Sequence, residues 1–253
     1  MGLYYDKFIL FGDSITQMSN GRDLDFSFLA NLQDDYVRKL DIENRGYGGY
    51  NSKHAVEILP EILDTNIGES KIRLLTIFFG TNDAVDTIQY VPLDQYRQNL
   101  QKLVKMAQDK GIKVIVIGPG FHDAKLWNAF KESQGEIVEK DVTTNKQNKI
   151  YSDAARGVAE EFKVPFVDMW TAFRNYGNWT EEQVLEEYIP LNDLLTDGVH
   201  YTGKAYKLLY REVTGAIAQF YPELSGASLK QKLADWDDID DEHLKQSIFK
   251  TEH

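Results

Sequence analysis

The chain has 253 residues, enough for one large α/β domain or two small ones, and its 42% hydrophobic and 27% charged residues exclude wholesale disorder. A net charge of -12 argues against a nucleic-acid groove or an anionic membrane surface, since both need clustered Lys and Arg. Without cysteine there is no disulfide framework, thiolate nucleophile or Cys-ligated zinc, and no apolar run makes a signal-peptide core or a transmembrane span, so a cytoplasmic protein that neither binds nucleic acid nor inserts into membranes is expected.

The first apolar run, Phe8 to Phe11, has strand length and stops abruptly at Gly12-Asp13-Ser14. In an open α/β sheet ligands sit outside the C-terminal strand ends, so Ser14 is placed for chemistry as a candidate nucleophile. The same Asp and Ser serve equally well as caps of a following helix. Four more runs follow: Asp41 to Tyr47, partly polar as suits an edge strand; Ile72 to Phe79, ending at Gly80; Lys113 to Ile117, ending at Gly118-Pro119-Gly120; and Val164 to Trp170. Continuous rather than alternating runs are what strands buried on both faces look like.

Helical spacing fills the gaps. Phe28, Leu29, Leu32, Tyr36, Val37 and Leu40 make one stripe, and Ala55, Ile58, Leu59 and Ile62 a second, in which Pro60 is expected to bend or end the helix. Tyr96, Leu100, Leu103, Val104 and Ala107 make a third that stops at Gly111. Ala154, Ala155, Val158, Ala159 and Phe162 precede the fifth strand, and Leu208, Leu209, Val213, Ile217 and Phe220 line a last helix opening near Thr202. This alternation predicts right-handed βαβ units, hence an α/β fold with a parallel sheet covered by helices on both faces, as one domain over residues 1–221. The irregular stretches 121–148, with Trp127 and Phe130, and 174–195, with Tyr176, Trp179 and Tyr188, follow strands four and five. They are either walls or lids over the catalytic edge or ordinary surface loops. In the tail, residues 222–253, Leu229, Leu233 and Trp236 form one narrow apolar face that predicts docking on the body or on a partner subunit of a homodimer. The acidic run Asp235 to Glu242 reads as a solvated face, and residues 244–253 are expected to fray.

A serine hydroxyl is a poor nucleophile at neutral pH and needs a base within hydrogen-bond reach. Of the five histidines, His253 is terminal, His243 lies in the acidic tail and His54 falls in the helix after Tyr50. His122 follows the fourth strand at the correct edge, and His200 stands in Asp197-Gly198-Val199-His200 just before the last helix. A carboxylate three residues upstream can fix the imidazole tautomer and leave Nε2 facing the serine, although this spacing also arises by chance and in metal sites. Acyl transfer further needs donors for a developing oxyanion. The glycines of Asn44 to Tyr50 free a backbone N–H for that task, and Gly80-Thr81-Asn82-Asp83 offers a side-chain amide; each stretch alone also reads as a turn or a helix cap.

Gly12-Asp13-Ser14-Ile15, the glycine block, Gly80-Thr81-Asn82-Asp83 and Asp197-Gly198-Val199-His200, in that order, resemble the blocks of the SGNH (GDSL-type) hydrolases over residues 8–206. The resemblance implies a three-layer α/β/α fold around a flavodoxin-like, five-stranded parallel sheet of order 2-1-3-4-5. It implies Ser14 as nucleophile, His200 as base and Asp197 as its orienter. The N–H groups of Ser14 and Gly49 and the amide of Asn82 would form the oxyanion hole, Asp13 and Asp83 would hold the loops, and no cofactor or metal would be needed. More narrowly, Phe8 to Thr16, Arg45 to Tyr47, Ile58 to Leu63, Thr76 to Phe78, Leu195 to Gly198 and Lys232 to Trp236 are similar to the fungal isoamyl acetate-hydrolysing esterases. That implies a small-molecule partner, an acetate ester of a medium-length alcohol. Ile15 stands where many members have Leu, and Ala205 replaces a glycine common before the aromatic at Tyr206. Phe78, Phe79, Phe121, Trp127, Trp179 and Tyr188 are candidates for a tight apolar pocket, and each also reads as core. Thioesterase, lysophospholipase and sugar-deacetylase activities also occur in the family. Outside it, the alternatives are metal-dependent phosphoryl transfer, with Asp13 and Asp83 holding Mg²⁺, and a catalytically silent binding module on the same fold.

Overall fold

The computed structural model describes residues 3–64, 70–138, 140–186 and 189–249. In chain order the elements are β1 (Asp6–Gly12), α1 (Ser14–Gln17), α2 (Phe28–Asp35), β2 (Leu40–Gly46), α3 (Ser52–Asp64), β3 (Ile72–Phe78), α4 (Leu93–Asp109), β4 (Lys113–Gly118), α5 (Ala124–Ser133), α6 (Asn145–Phe162), β5 (Phe166–Asp168), α7 (Met169–Tyr176), α8 (Glu181–Leu185), α9 (Gly203–Phe220) and α10 (Leu244–Ile248). The five strands form one parallel sheet of order β2-β1-β3-β4-β5.

Both faces of the sheet are covered, which is why its strands read as unbroken apolar runs. Along β1, Phe8 and Leu10 join a core shared with α2, α7 and α9, where Leu32, Phe173, Leu209 and Val213 are buried. Ile9 and Phe11 point the other way, into a second core with Leu59 of α3, Leu100 and Leu103 of α4 and Val158 of α6. Among the described residues no helix is long and apolar enough to cross a membrane.

Several boundaries differ from the sequence expectation, each for a local reason. Pro60 does not end α3, which continues to Asp64. Interior Pro costs about 3 kcal/mol, whereas each buried Leu or Ile contributes about 1.5–3 kcal/mol, and Leu59, Ile62 and Leu63 all face the core. The α2 helix stops before Tyr36, whose hydroxyl donates to Leu224 O at 2.8 Å, and Leu40 opens β2 instead of closing the helix. β5 is cut to three residues because the Asp168 carboxylate accepts the Thr171 N–H at 3.0 Å, capping α7 and taking Met169 and Trp170 into a helix. The stretch 121–148 is not irregular throughout. Asp123 caps α5 through Leu126 N–H at 3.0 Å, and Thr144 caps α6 through Gln147 N–H at 3.1 Å, so α6 begins well before Ala154.

After α9 the chain runs back along the α2–β2 corner. Lys39 Nζ donates to Gly226 O at 2.6 Å, Arg38 Nη2 to Ala234 O at 2.6 Å, and Lys232 N–H to Arg38 O at 3.1 Å. Leu229 packs against the first core, while Trp236 is 84% exposed. Residues 244–248 are helical rather than frayed: Ser247 Oγ accepts the Asp240 N–H at 3.0 Å, and Ile248 O accepts the Ala234 N–H at 3.1 Å. Residues 250–253, His253 among them, and Tyr188 lie outside the described residues.

Candidate active site

The site begins where β1 turns into α1. A Cβ on Gly12 would lie 2.1 Å from Thr16 Oγ1 and 2.7 Å from Phe78 O, so the turn tolerates no side chain there. Asp13 caps α1 by accepting the Ile15 N–H at 2.9 Å, and Ser14 is the first helical residue. N–H groups of a first helical turn have no partner within the helix, so capping leaves the Ser14 N–H available to a ligand. The two sequence readings of this turn therefore coexist.

Opposite, an isolated antiparallel bridge between Leu195 and Tyr201 closes the loop that carries Asp197 and His200. Gly198, at φ +98°, sits so close to α5 that a Cβ would approach Asp123 O to 2.4 Å. Asp197 Oδ1 accepts the N–H of Val199 at 3.0 Å and of His200 at 2.9 Å, and Oδ2 lies 2.6 Å from His200 Nδ1. Burial pushes the Asp197 carboxyl up, but the hydrogen bonds and charge of His200 and the Val199 N–H overcome it and hold the group down at about 2. An ionised Asp197 only accepts, so the proton of that bond belongs to Nδ1 and the lone pair to Nε2. Nε2 is 3.0 Å from Ser14 Oγ, and the arrangement can draw a proton from the hydroxyl.

The loop after β2 and the loop after β3 complete the surroundings. Gly49 adopts φ +78° and Gly80 φ +134°, regions that glycine enters without strain; a Cβ on Gly80 would also meet the Tyr96 hydroxyl at 2.8 Å. Asn82 donates one amide N–H to Tyr50 O at 2.8 Å, leaving its second for the cavity it lines. That cavity, about 300 Å³, is bordered by Ser14, His200, Gly49 and Asn82 together with Met18, Val85, Trp127 and Val199.

The profile of the GDSL-like Lipase/Acylhydrolase family matches residues 10–208, the span that carries every group just described. The chain belongs to this family. It is 40% identical to the isoamyl acetate-hydrolyzing esterase of Saccharomyces cerevisiae, over 94% of this chain and 97% of that protein. It is 30% identical to the isoamyl acetate-hydrolyzing esterase 1 homolog of Rattus norvegicus, over 98% of this chain and 93% of that one. Among solved structures it is similar to the acetyl xylan esterase AlAXEase, with a TM-score of 0.64 and 19% identity over 83% of this chain and 99% of that one.

In this GDSL-family hydrolase two carboxylates lie beneath the loops, and both are fully buried. Asp83 accepts the Ser52 hydroxyl at 2.5 Å and the Ser52 N–H at 3.0 Å, tying the start of α3 to the loop after β3, while Asn99 donates to the same hydroxyl at 2.9 Å. Burial pushes its carboxyl up to about 6, against the bonds from Ser52. Asp13 is pushed up to about 7 by burial, opposed by the Ile15 N–H and helped by the charge of Asp83. Its Oδ2 and the Tyr201 hydroxyl find no hydrogen-bond partner among the described residues.

The aromatic pocket is mostly not where the sequence placed it. Trp127 lines the cavity, but Phe78 and Phe79 are 1% exposed in the two cores. Phe121 packs edge-on against Trp170 and Phe173, with Trp179 behind it at 6.2 Å between ring centres. Phe78, Phe79 and Phe121 are core residues and Trp179 is partly buried against the first core, so these rings pack in the apolar clusters rather than on the cavity wall. The stretch 121–148 does form a wall, through His122, Trp127, Val142, Thr143 and Asn148; from 174–195 no described residue reaches the cavity. His122 is 3% exposed, its ring pushed down to about 4 by burial, and it has no hydrogen bond to Ser14. His54 is exposed and accepts the Asn51 N–H at 3.3 Å. Met18, Val85, Gln89, Val142 and Asn148 were not anticipated as lining residues. They come from separate segments and share no sequence pattern.

Proposed function

We propose that the protein hydrolyses acetate esters of medium-length alcohols, such as isoamyl acetate, through an acyl-enzyme on Ser14. The observation that carries this reading is the chain of contacts from Ser14 Oγ to His200 Nε2 at 3.0 Å and from His200 Nδ1 to Asp197 Oδ2 at 2.6 Å, beside one cavity. His200 takes the hydroxyl proton as Ser14 attacks the ester carbonyl, and Asp197 steadies the imidazolium that forms. The N–H groups of Ser14 and Gly49 and the amide of Asn82 stabilise the oxyanion, which is where such donors act most strongly. His200 then protonates the departing alcohol, and water, deprotonated by the same imidazole, releases acetate. The substrate assignment is supported by the relatives named for isoamyl acetate hydrolysis and by a small cavity with Met18, Val85, Trp127 and Val142 on its walls.

Two alternatives have less support. Mg²⁺-dependent phosphoryl transfer would need Asp13 and Asp83 open to a metal, but both are 0% exposed and each already accepts backbone N–H groups. A silent binding module has no use for a histidine whose tautomer is fixed towards a serine hydroxyl. An absence of cysteine fits a reducing cytoplasmic setting.

The test is a panel of esters in which acyl and alcohol lengths vary independently, run beside Ser14→Ala. The wild type should peak at acetate with alcohols of about four to six carbons, and Ser14→Ala should fold and be inactive. A flat profile or a preference for long acyl chains contradicts the substrate; normal turnover by Ser14→Ala contradicts the mechanism.

A further inference from the structure

The Gly49 N–H sits between two adjacent glycines, Gly48 and Gly49. Gly48 and Gly49 lack side chains to restrict them, and Gly49 stands at φ +78°. An oxyanion donor that turns freely must be ordered during the reaction, whereas a fixed one acts at no such cost. The structure fixes this peptide from both sides. Before it, the Gly48 N–H donates to Gln17 Oε1 at 2.7 Å; after it, the Gly49 carbonyl accepts from Gln89 Nε2 at 2.7 Å. Between these two held groups lies the Gly49 N–H, which makes no hydrogen bond to the described residues.

The clamp is tied to the other site elements. Gln17 ends α1, the helix that Ser14 opens. Gln89 belongs to the loop that follows Asn82, and is itself held: its carbonyl accepts from Asn51 Nδ2 at 2.7 Å and its N–H donates to Thr87 Oγ1 at 3.2 Å. With Asn82 Nδ2 on Tyr50 O at 2.8 Å, carboxamides link residues 49, 50 and 51 to residues 82 and 89. Moving one loop moves both donors.

We infer that Gln89, with Gln17 opposite it, is a positioning residue that aims the Gly49 N–H at the oxyanion. The inference rests on the serine-esterase reading and adds to it two residues that act through the backbone of the glycine loop. Gln17 is exposed, so water can replace its acceptor, and its share is the smaller.

The experiment compares wild type with Gln89→Leu, Gln89→Glu and Gln17→Leu. It measures kcat and KM for p-nitrophenyl acetate per site titrated with a fluorophosphonate, and Ki for a short-chain trifluoromethyl ketone, whose hemiketal oxyanion occupies the same hole. Removing one oxyanion donor outright costs about 10²–10³ in kcat, so misdirecting one through Gln89→Leu should cost about 10- to 100-fold, with KM within about twofold. The ketone Ki should weaken in the same proportion, and Gln17→Leu should show a smaller loss of the same kind. Gln89→Glu keeps the shape, loses the donor and adds a charge beside the Gly49 carbonyl, so its loss should be at least that of Gln89→Leu even if the leucine variant folds poorly. Wild-type kcat and Ki per titrated site in Gln89→Glu overturn the inference, as does a loss of kcat with unchanged Ki. If Ser14→Ala is inactive in the same assay, only the positioning role fails; if Ser14→Ala turns over, the underlying serine reading fails instead.

Discussion

Two Asp-x-x-His pairs in this chain have nearly the same internal geometry and different surroundings. His200 Nδ1 lies 2.6 Å from Asp197 Oδ2 with side chains 19% and 14% exposed, and His243 Nδ1 lies 2.9 Å from Asp240 Oδ2 with side chains 62% and 54% exposed. At both places the three-residue spacing brings carboxylate and imidazole into contact. What the tail pair lacks is the second contact, the 3.0 Å from Nε2 to Ser14 Oγ, and the glycine that lets its loop press against α5. Exposed ion pairs contribute about 0–1 kcal/mol, whereas removal from water strengthens a bond to an ionised carboxylate. A local motif makes a pair; the strand ends around it make a site.

The comparison can be broken most forcefully at the histidines. His200→Ala should lower kcat by about 10⁴ or more, and His243→Ala should leave it unchanged. Assays with p-nitrophenyl acetate decide this, and equal losses at the two positions would erase the distinction. Next come the carboxylates: Asp197→Asn should cost about 10²–10⁴ in kcat through the wrong tautomer, while Asp240→Asn should not change it.

A stability measurement sharpens the contrast from another side. The Asp197 carboxyl is held down at about 2, so its stabilisation is present above about pH 4 and lost as pH falls towards 2. Asp13 has the opposite sign. Folded, it keeps its proton up to about 7, while the unfolded chain releases it near 3.8. Between those values the folded state binds more protons, so stability falls as pH rises through that window, by on the order of 4 kcal/mol. Asp83 and His122 titrate in the same window with opposite signs, so the Asp13 share is read as a difference: from pH 4.5 to pH 8 urea melts should show wild type losing more stability than Asp13→Asn by this amount, and parallel slopes would contradict the buried, protonated carboxyl. The smallest expected effect is that of Asp240→Asn on stability, within about 0.5 kcal/mol by the same melts.

The alternation of strands and helices was legible in the apolar runs, and the sheet order only through the resemblance to the SGNH hydrolases. Ser14, Asn82, Asp197 and His200 were legible because Ser14 opens a helix directly after a strand and the other three lie in short loops next to a strand or a helix. The Gly-x-Gly-Gly loop was legible for the same reason. The cavity walls were not. Whether Phe78 and Phe121 point above the strand ends or under them depends on the packing of α7 and α9 around them, which no local periodicity records. Asn148 and Gln89 meet the site from α6 and from an irregular loop, and only long-range contacts bring them there. The missed α5 had a readable signal, the Asp123 cap three residues before Leu126, hidden by the polar run that follows. That α3 runs on past Pro60 and that α2 ends early follow from burial in the tertiary structure, which outweighs a local rule of about 3 kcal/mol or less.

In the proposed mechanism the chemistry runs on the Ser14 hydroxyl with His200 as its base. Treating the protein with a fluorophosphonate, locating the adduct by peptide mass spectrometry and assaying residual esterase activity tests it most directly. One adduct is expected, on Ser14, with activity lost in proportion to labelling and labelling greatly slowed in His200→Ala. Full activity with Ser14 modified, or complete inactivation with the adduct elsewhere, would contradict it.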